Sequence, residues 1–310
     1  MKKLFMTMLA VLSCGATYAL PVGNPSEASL LVDGVFWEGH CGDMCDPCLT
    51  WCDAFSVRVG FWGDYVFNRY MEINSSNKSK DADRTRIMTN AGYIAANFWD
   101  RVDVFATLGG TNIYQESDFG TIAGNAPGIT GIAPSGDALY QLWTTTDFSW
   151  SIGVRGTIWE CGCTSVGAEF QYFQTRPSLR YINAYSGPTA LSVQANSGSR
   201  QAFGNGYGTK YYDWKVGLGV SHRINMLVPY AAVTWSNAAW KLGHAVLRDP
   251  ATPNGATGIP FPTVLQDQRS AKTWGYALGV SLVDCEKMSL NLEGDFASSL
   301  EVAMNAQIRF

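Results

Sequence analysis

Apolar and polar residues alternate with a period of two along much of the chain. The segment LEVAMNAQIRF (300–310) places apolar side chains on one face and mostly polar side chains on the other. The same alternation recurs in four further segments: DAFSVRVGFWGDYVF (53–67), DFSWSIGVRGTIW (147–159), DWKVGLGVSH (213–222) and TWGYALGVSLV (273–283). A period of two predicts strands with one apolar and one polar face.

These segments predict an all-β fold, an antiparallel transmembrane β-barrel of the outer-membrane type. Such barrels turn apolar side chains toward lipid and polar or small ones toward the lumen, with aromatic residues at the membrane interfaces. A final Phe, here Phe310, is also common in them. Ten strands are expected near 54–68, 89–98, 102–110, 142–159, 166–175, 211–222, 228–236, 271–282, 288–295 and 300–310. Chain length suggests roughly 12–16 strands in all, so others are expected inside the loops and near 29–39.

The connections between the predicted strands alternate between short and long. Short turns are expected at 100–101, 160–165, 223–227 and 284–287, and long polar loops at 71–88, 111–140, 176–210 and 237–270. Outer-membrane barrels have short periplasmic turns and long outer loops, so the short turns are assigned to the periplasm. A soluble protein of linked β-sandwiches is the alternative, but it accounts for this alternation less well.

The start of the chain indicates export to the bacterial cell outer membrane. Lys2 and Lys3 precede an apolar run and a small-residue cleavage site, which is typical of a cleaved signal peptide over residues 1–19. Lipoprotein processing at Cys14 is the alternative. The expected organisation is therefore a signal peptide (1–19), a Cys-rich periplasmic segment (20–52) and the barrel (53–310). Loss of the two lysines changes the formal charge from −4 to −6.

Composition and motifs exclude several other classes of protein. Past the signal peptide no apolar run is long enough for a helical membrane span, and charged residues make up only 15% of the chain. No phosphate-binding loop, nucleotide fingerprint or basic patch is present, so neither a cofactor nor a nucleic-acid partner is expected. His40, His222 and His244 lie in no recognisable catalytic setting. An outer-membrane hydrolase is therefore disfavoured, and the protein is not expected to be an enzyme.

Five charged residues fall on the polar face of predicted strands and are candidates to line a pore. They are Arg58, Arg155, Lys215, Glu169 and Glu293. A charge on the lipid face costs about 2–4 kcal/mol at the midplane, so these side chains are expected to point into the lumen. There they either bias the passage of ions or form salt bridges that fill a small barrel. The pattern leaves both possibilities open.

The cysteines are expected on the periplasmic side of the barrel. Seven remain after cleavage at residue 19: Cys41, Cys45, Cys48, Cys52, Cys161, Cys163 and Cys285. The periplasm is oxidising, which favours disulfides over a zinc site or a C-x-x-C redox centre at Cys45 and Cys48, and no metal site is expected. Because seven is odd, at least one thiol stays free or pairs with another molecule.

Several stretches resemble the chlamydial major outer membrane protein family. They include LPVGNPSEASLLVDGVFWEG (20–39), CGDMCDPCLTWCDAFSVRVGFWGDYVFNR (41–69), NAGYIAANFWDRVDVFATLG (90–109) and INMLVPYAAVTWS (224–236). The resemblance implies a porin in outer-membrane lipid that passes small solutes and ions. It also implies a structural envelope protein, a homo-oligomer (a trimer) and disulfide links to cysteine-rich envelope proteins. A non-conducting barrel that acts as an adhesin or scaffold is the alternative.

Overall fold

The structure, a computed structural model, describes residues 23–31, 55–73, 84–121, 137–186, 199–242, 246–247, 263–264, 267–284 and 287–310. Within these ranges no helix is long and apolar enough to cross a membrane. One short helix, α1 (Glu27–Leu30), precedes the strands. The strands are β1 (Phe55–Arg69), β2 (Met71–Ile73), β3 (Arg84–Phe98), β4 (Val102–Thr121), β5 (Asp137–Thr144), β6 (Asp147–Cys161), β7 (Thr164–Thr175), β8 (Ser178–Ser186), β9 (Ser199–Gly208), β10 (Lys210–His222), β11 (Leu227–Lys241), β12 (Val246–Leu247), β13 (Thr263–Val264), β14 (Gln268–Ser270), β15 (Trp274–Asp284), β16 (Met288–Phe296) and β17 (Ser299–Arg309).

Ten of the described strands close into an antiparallel ring. Its order is β1-β3-β4-β6-β7-β10-β11-β15-β16-β17, and β17 pairs back onto β1. Each ring strand therefore pairs with the ring strand that follows it in the chain, as in an up-and-down barrel. Closure gives the backbone N–H and C=O groups of the ring a strand partner on both sides, which a structure inside lipid requires.

The expected outer-membrane-type barrel is confirmed, but its ring is smaller than chain length suggested. The ring within the described residues has ten strands, at the ten places that the alternation marks, rather than 12 to 16. Further strands do lie in the predicted long loops, where β5, β8 and β9 extend the sheet from the outer half of β4. They do not enlarge the ring because β6, not β9, pairs with the first half of β4.

The two faces of the ring strands differ in polarity as the alternation predicts. In β17, Val302, Met304 and Ile308 are exposed on the outside, whereas Glu301 and Arg309 are buried inside. On the outside, near the loop end of the ring, Trp235 of β11 meets Trp214 of β10 edge-to-face and stacks on Trp274 of β15. These side chains form part of the aromatic girdle expected at a membrane interface.

The short turns predicted at 100–101, 160–165 and 223–227 lie at one end of the ring, whereas the two-residue turn between β16 and β17 lies at the other end. The β3–β4 turn has positive φ at Trp99 (51°) and Asp100 (50°), and the Arg101 N–H donates to the Phe98 carbonyl oxygen at 3.0 Å. A two-residue turn with positive φ at both residues has the twist that the two strands of a β-hairpin require. The Phe310 N–H donates to the Val57 carbonyl oxygen at 2.8 Å, so the end of β17 lies at the same rim. We call this rim the short-turn end.

The segment Gly23–Leu31 lies inside the ring at the short-turn end, whereas the sequence predicted it as part of a periplasmic segment. A ring of eight strands is just filled by its own side chains, so a ten-stranded ring has space for a short additional segment. Ser29 and Leu30 belong to α1 rather than to a strand, and the rest of the possible strand at 29–39 lies almost wholly outside the described residues.

Candidate permeation site in the barrel lumen

The lumen at the short-turn end is crossed by hydrogen-bonded ion pairs. Arg58 of β1 and Asp103 of β4 form a fully buried salt bridge at 2.9 Å. Asn97 of β3 donates to the other Asp103 carboxylate oxygen at 2.7 Å. Both donors also bind carbonyl oxygens of α1, namely those of Glu27 (2.7 Å) and Ala28 (2.9 Å for each donor). The wall of the barrel and the N-terminal segment therefore share one hydrogen-bond network.

A second ion-pair group links β6, β7 and the N-terminal segment. Arg155 donates to Glu169 at 2.5 Å and also pairs with Glu27, whose other carboxylate oxygen accepts from Gln307. Burial raises the pKa of the Glu27 carboxyl above its usual value, and the positive charge of Arg155 opposes that rise. Glu27 is therefore buried in the lumen between a cation and an amide donor.

A hydrogen-bonded carboxylate and a further ion pair extend the polar lumen toward the middle of the barrel. Glu293 accepts hydrogen bonds from the Tyr230 hydroxyl at 2.5 Å and from the Gly23 N–H at 2.8 Å. Lys215 of β10 pairs with Asp295 of β16 across the lumen. The interior is therefore polar from the short-turn end to its centre, as in outer-membrane channels.

On one wall the middle of the lumen is aromatic. Trp62, Tyr93 and Phe105, on neighbouring strands β1, β3 and β4, stack with ring centroids 5.7 to 6.4 Å apart. The Arg155 guanidinium lies 5.1 Å from the centroid of the Phe105 ring, within the range of a cation–π contact. The aromatic wall thus meets the charged wall directly.

Near the loop end, the lumen contains both a buried cation and an apolar cluster. Arg69 pairs with Asp213 at 3.1 Å and donates to the hydroxyls of Ser299, Ser236 and Ser270. The cluster consists of buried apolar side chains on strands at this end: Val66, Met71, Ile87, Ile113, Leu142, Phe173, Leu179, Tyr211, Ala238, Trp240 and Leu242. Within the described residues, the interior at the loop end therefore carries both charged and apolar side chains.

All five pore-lining candidates lie on the interior face of the ring. Their side chains are at most 5% exposed: Arg58, Arg155, Lys215, Glu169 and Glu293. Each is engaged in an ion pair or hydrogen bond inside the barrel. This geometry matches the possibility of lumenal salt bridges in a small barrel, and the role of these residues in lining an open path stays a prediction.

Sequence reasoning missed the partners of these residues for two reasons. Asp103 and Asp295 follow the same alternation as the chosen residues, and reading every polar position of each strand would have found them. Glu27 belongs to no strand, so no periodicity marks it as lumenal. Only the folded ring shows that it meets Arg155.

Two cysteines lie within the described residues. Cys161 and Cys163 are both exposed and unpaired at the β6–β7 turn, on the short-turn end. Cys41, Cys45, Cys48, Cys52 and Cys285 lie outside the described residues. Cys161 and Cys163 lie at the short-turn end, and both the assignment of that end to the periplasm and the disulfide pairing of all seven cysteines stay predictions.

Comparison with known proteins identifies the family. A sequence profile described as Chlamydia major outer membrane protein matches residues 1–86 and 74–264. The chain belongs to the chlamydial major outer membrane protein family. The resemblance drawn from its motifs is thereby confirmed, and the protein is an outer-membrane β-barrel.

Individual relatives in the chlamydial major outer membrane protein family align over nearly their whole length. A major outer membrane porin of Chlamydia abortus (strain DSM 27085 / S26/3) is 37% identical, with all of both chains covered. One from Chlamydia pneumoniae is 36% identical, with 96% of each covered. Among solved structures, the translocator domain of the autotransporter NalP from Neisseria meningitidis covers 83% of this chain and 88% of its own. At 10% identity and a TM-score of 0.36, that likeness says nothing about function.

Proposed function

We propose that this protein is a porin through which small solutes and ions diffuse passively across the outer membrane. One observation carries the proposal: the closed ring turns a continuous set of charged and polar side chains inward, from Arg58 at the short-turn end to Lys215 at mid-barrel. A polar interior behind an apolar outer face is the arrangement of a water-filled channel. The naming of the relatives as porins supports the same role.

The lumenal charges would act on ions in the open path. The described residues with buried charged side chains comprise five cationic and eight acidic ones. The cationic ones are Arg58, Arg69, Arg155, Lys215 and Arg309, and the acidic ones are Glu27, Asp64, Asp103, Glu169, Asp213, Glu293, Asp295 and Glu301. The charges that line the narrowest part set ion preference, and its diameter sets the size limit.

Planar-bilayer recording of the purified protein tests the porin role. We expect discrete conductance steps whose size grows with KCl concentration, because ions would cross through the lumen. Detergent without protein is the control for bilayer leakage. A silent bilayer, from protein that keeps its β-sheet circular dichroism spectrum, would contradict the porin role.

A non-conducting barrel that serves as an adhesin or scaffold is the second candidate function. It is favoured by the position of Gly23–Leu31 inside the short-turn end of the lumen and by the buried apolar cluster around Trp240 near the loop end. The same recording separates the two functions, since a scaffold would fold normally without conducting. No enzymatic role is proposed: His222, the one histidine within the described ranges, is exposed at the short-turn end and shares a hydrogen bond with the Thr164 hydroxyl.

We further propose that the protein stiffens the envelope through intermolecular disulfides. Cys161 and Cys163 are exposed at the short-turn end, where the thiols of a neighbouring molecule can reach them. By resemblance to the family, the partners are cysteine-rich envelope proteins and further copies of the chain, which would form trimers. The signal peptide over residues 1–19 would direct export and then be cleaved off.

Non-reducing gel electrophoresis of oxidised membranes tests this cross-linking. We expect a ladder of oligomers that collapses to monomer when reductant is added. A Cys161→Ser/Cys163→Ser variant should shorten the ladder, because two exposed thiols are lost. A Ser165→Ala variant at the same turn controls for local disturbance. If oxidised wild-type protein runs only as monomer, the cross-linking role is wrong.

A further inference from the structure

We propose that Gly23–Leu31 is the element that constricts the pore, and that its displacement from the lumen sets the rate of permeation. The proposal rests on the porin function above. We call Gly23–Leu31 the lumenal segment. Three properties of the structure support it: the segment spans the lumen, the wall is shaped to receive it, and polar contacts hold most of it.

The lumenal segment extends across the whole cross-section of the ring. Nine ring strands contribute a residue that bonds to it or packs on it, and β4 reaches it through Asp103, which binds Arg58 and Asn97. The direct contacts are Arg58, Asn97, Arg155, Thr157, Gly167, Gly219, Ser221, Val228, Ser281, Val283, Glu293, Gln307 and Arg309. Because the lumenal segment has contacts on all sides, no wide path is left beside it at the short-turn end of the lumen.

The wall lacks side chains where the lumenal segment approaches most closely. A methyl group added to Gly219 of β10 would lie 2.6 Å from the Pro25 ring, and one added to Gly167 of β7 would overlap the Pro25 carbonyl oxygen. Two adjacent strands therefore have glycine where Pro25 lies. A larger residue at either position would push the segment away from the wall.

Side chains of the barrel wall donate the hydrogen bonds that further turns of α1 would otherwise supply. A helix of four residues leaves its final carbonyl groups without helical partners. Arg58 donates to the carbonyl oxygens of Glu27 and Ala28, and Arg309 donates to that of Leu31. So short a helix is not stable in isolation. The segment therefore depends on the lumen for its conformation.

Most of the contacts can be exchanged for contacts with water. Gly23 binds Glu293 at 2.8 Å, Asn24 binds Ser281 at 2.9 Å, and the Ser26 and Ser221 hydroxyls lie 2.9 Å apart. Hydrogen bonds between neutral groups, such as the last two, contribute little net free energy because water satisfies the same groups, whereas the bond to the Glu293 carboxylate contributes more. The buried apolar contact is small: Leu30 and Leu31 pack only on Val228 and Val283 in their core cluster. The segment is therefore held well enough to block the lumen, and weakly enough to be displaced.

A disulfide between the lumenal segment and the wall tests the proposal directly. The variant Ser26→Cys/Ser221→Cys places two thiols where the hydroxyls lie 2.9 Å apart, a separation that suits a disulfide. In planar bilayers we expect the oxidised variant to conduct at least about tenfold less than the same protein after reduction. Each single variant and the wild type, recorded with and without reductant, control for the native cysteines. Mass spectrometry of the linked peptides confirms that the bond has formed.

A second variant weakens the hold on the segment without a new covalent bond. Glu27→Gln keeps the shape of the side chain and removes the charge that pairs with Arg155. Losing one charge-assisted hydrogen bond should raise the ratio of open to closed channel by about tenfold. Glu72→Gln is the matched control, because Glu72 pairs with the exposed Arg269 at the loop end. We expect its conductance to equal that of the wild type.

The outcomes separate this inference from the porin function. If the wild type conducts and both the oxidised double variant and Glu27→Gln match it, the lumenal segment does not constrict the pore, and the porin function stands. If all proteins are silent while folded, the porin function fails. If the oxidised variant is silent and conducts after reduction, or Glu27→Gln opens more often, the inference is supported.

Discussion

Replacing Lys215 with Met should lower the free energy of unfolding by about 3–5 kcal/mol, because it leaves buried acids without their cation. Lys215 is 2% exposed and pairs with Asp295. Three more buried carboxyl groups surround it, those of Asp64, Glu293 and Glu301. Met fills a similar volume, so the loss would come from charge rather than packing. Urea unfolding of the protein in lipid vesicles, followed by tryptophan fluorescence, measures it.

Two further variants make this result specific to the buried charge. Adding Asp295→Leu to Lys215→Met should recover part of the loss, since it removes the carboxyl group that pairs directly with Lys215 and leaves the other three. Lys241→Met should change stability by about 0–1 kcal/mol, because Lys241 pairs with Asp267 at an exposed site. Equal losses for Lys215→Met and Lys241→Met would mean that the lumen around Lys215 is open to water.

Leu218→Lys should lower the free energy of unfolding by about 2–4 kcal/mol, the effect of a charge at the middle of a bilayer. Leu218 is 56% exposed on the outside of β10, four residues from Trp214 of the aromatic girdle and four from the end of the strand at His222. It faces hydrocarbon in the membrane, where Lys loses its hydration. The same urea titration measures the change.

A lysine at the short-turn end provides the control of equal exposure. Met226 is 55% exposed in the β10–β11 turn, and Met226→Lys should cost only about 0–1 kcal/mol, as for charges near the interface. The difference between the two losses in free energy of unfolding reports how deep Leu218 lies in the bilayer. If both lysines had the same small effect, the outer face of β10 would not lie in hydrocarbon.

The filled short-turn end of the lumen and the porin function are compatible if the lumenal segment, which fills that end, is removable. The ion pairs of Arg58 and Lys215 belong to strands fixed in the ring. The lumenal segment is different, because it belongs to no strand. The carbonyl oxygens of its helix accept hydrogen bonds from Arg58 of the barrel wall. The porin function and the constriction are therefore tested on the same protein, and each can fail separately.

The alternation of residues predicted most of the fold correctly. It located the ten ring strands, their lipid and lumenal faces, and the inward direction of residues such as Arg155 and Glu169. These properties are local, because each residue alternates sides along its own strand whatever the strand pairs with. The short connections predicted at 100–101 and 160–165 are turns in the structure, with positive φ at Asp100 and Gly162.

The number of strands in the ring could not be read from the same pattern. β5 and β8 have strand character, but they pair beyond the outer half of β4 and leave the ring at ten strands. Whether a strand enlarges a ring or extends from it depends on which distant strand it meets. A period of two contains no information about that partner.

The sequence by itself determined that this protein is an outer-membrane barrel with an apolar outside, a charged inside and a short-turn end that carries Cys161 and Cys163. Only the tertiary structure decided what fills the inside. Glu27 meets Arg155 although 128 residues separate them in the chain. Such a contact exists only once the ring has closed, because closure fixes the width of the lumen and brings walls from distant strands around one short segment.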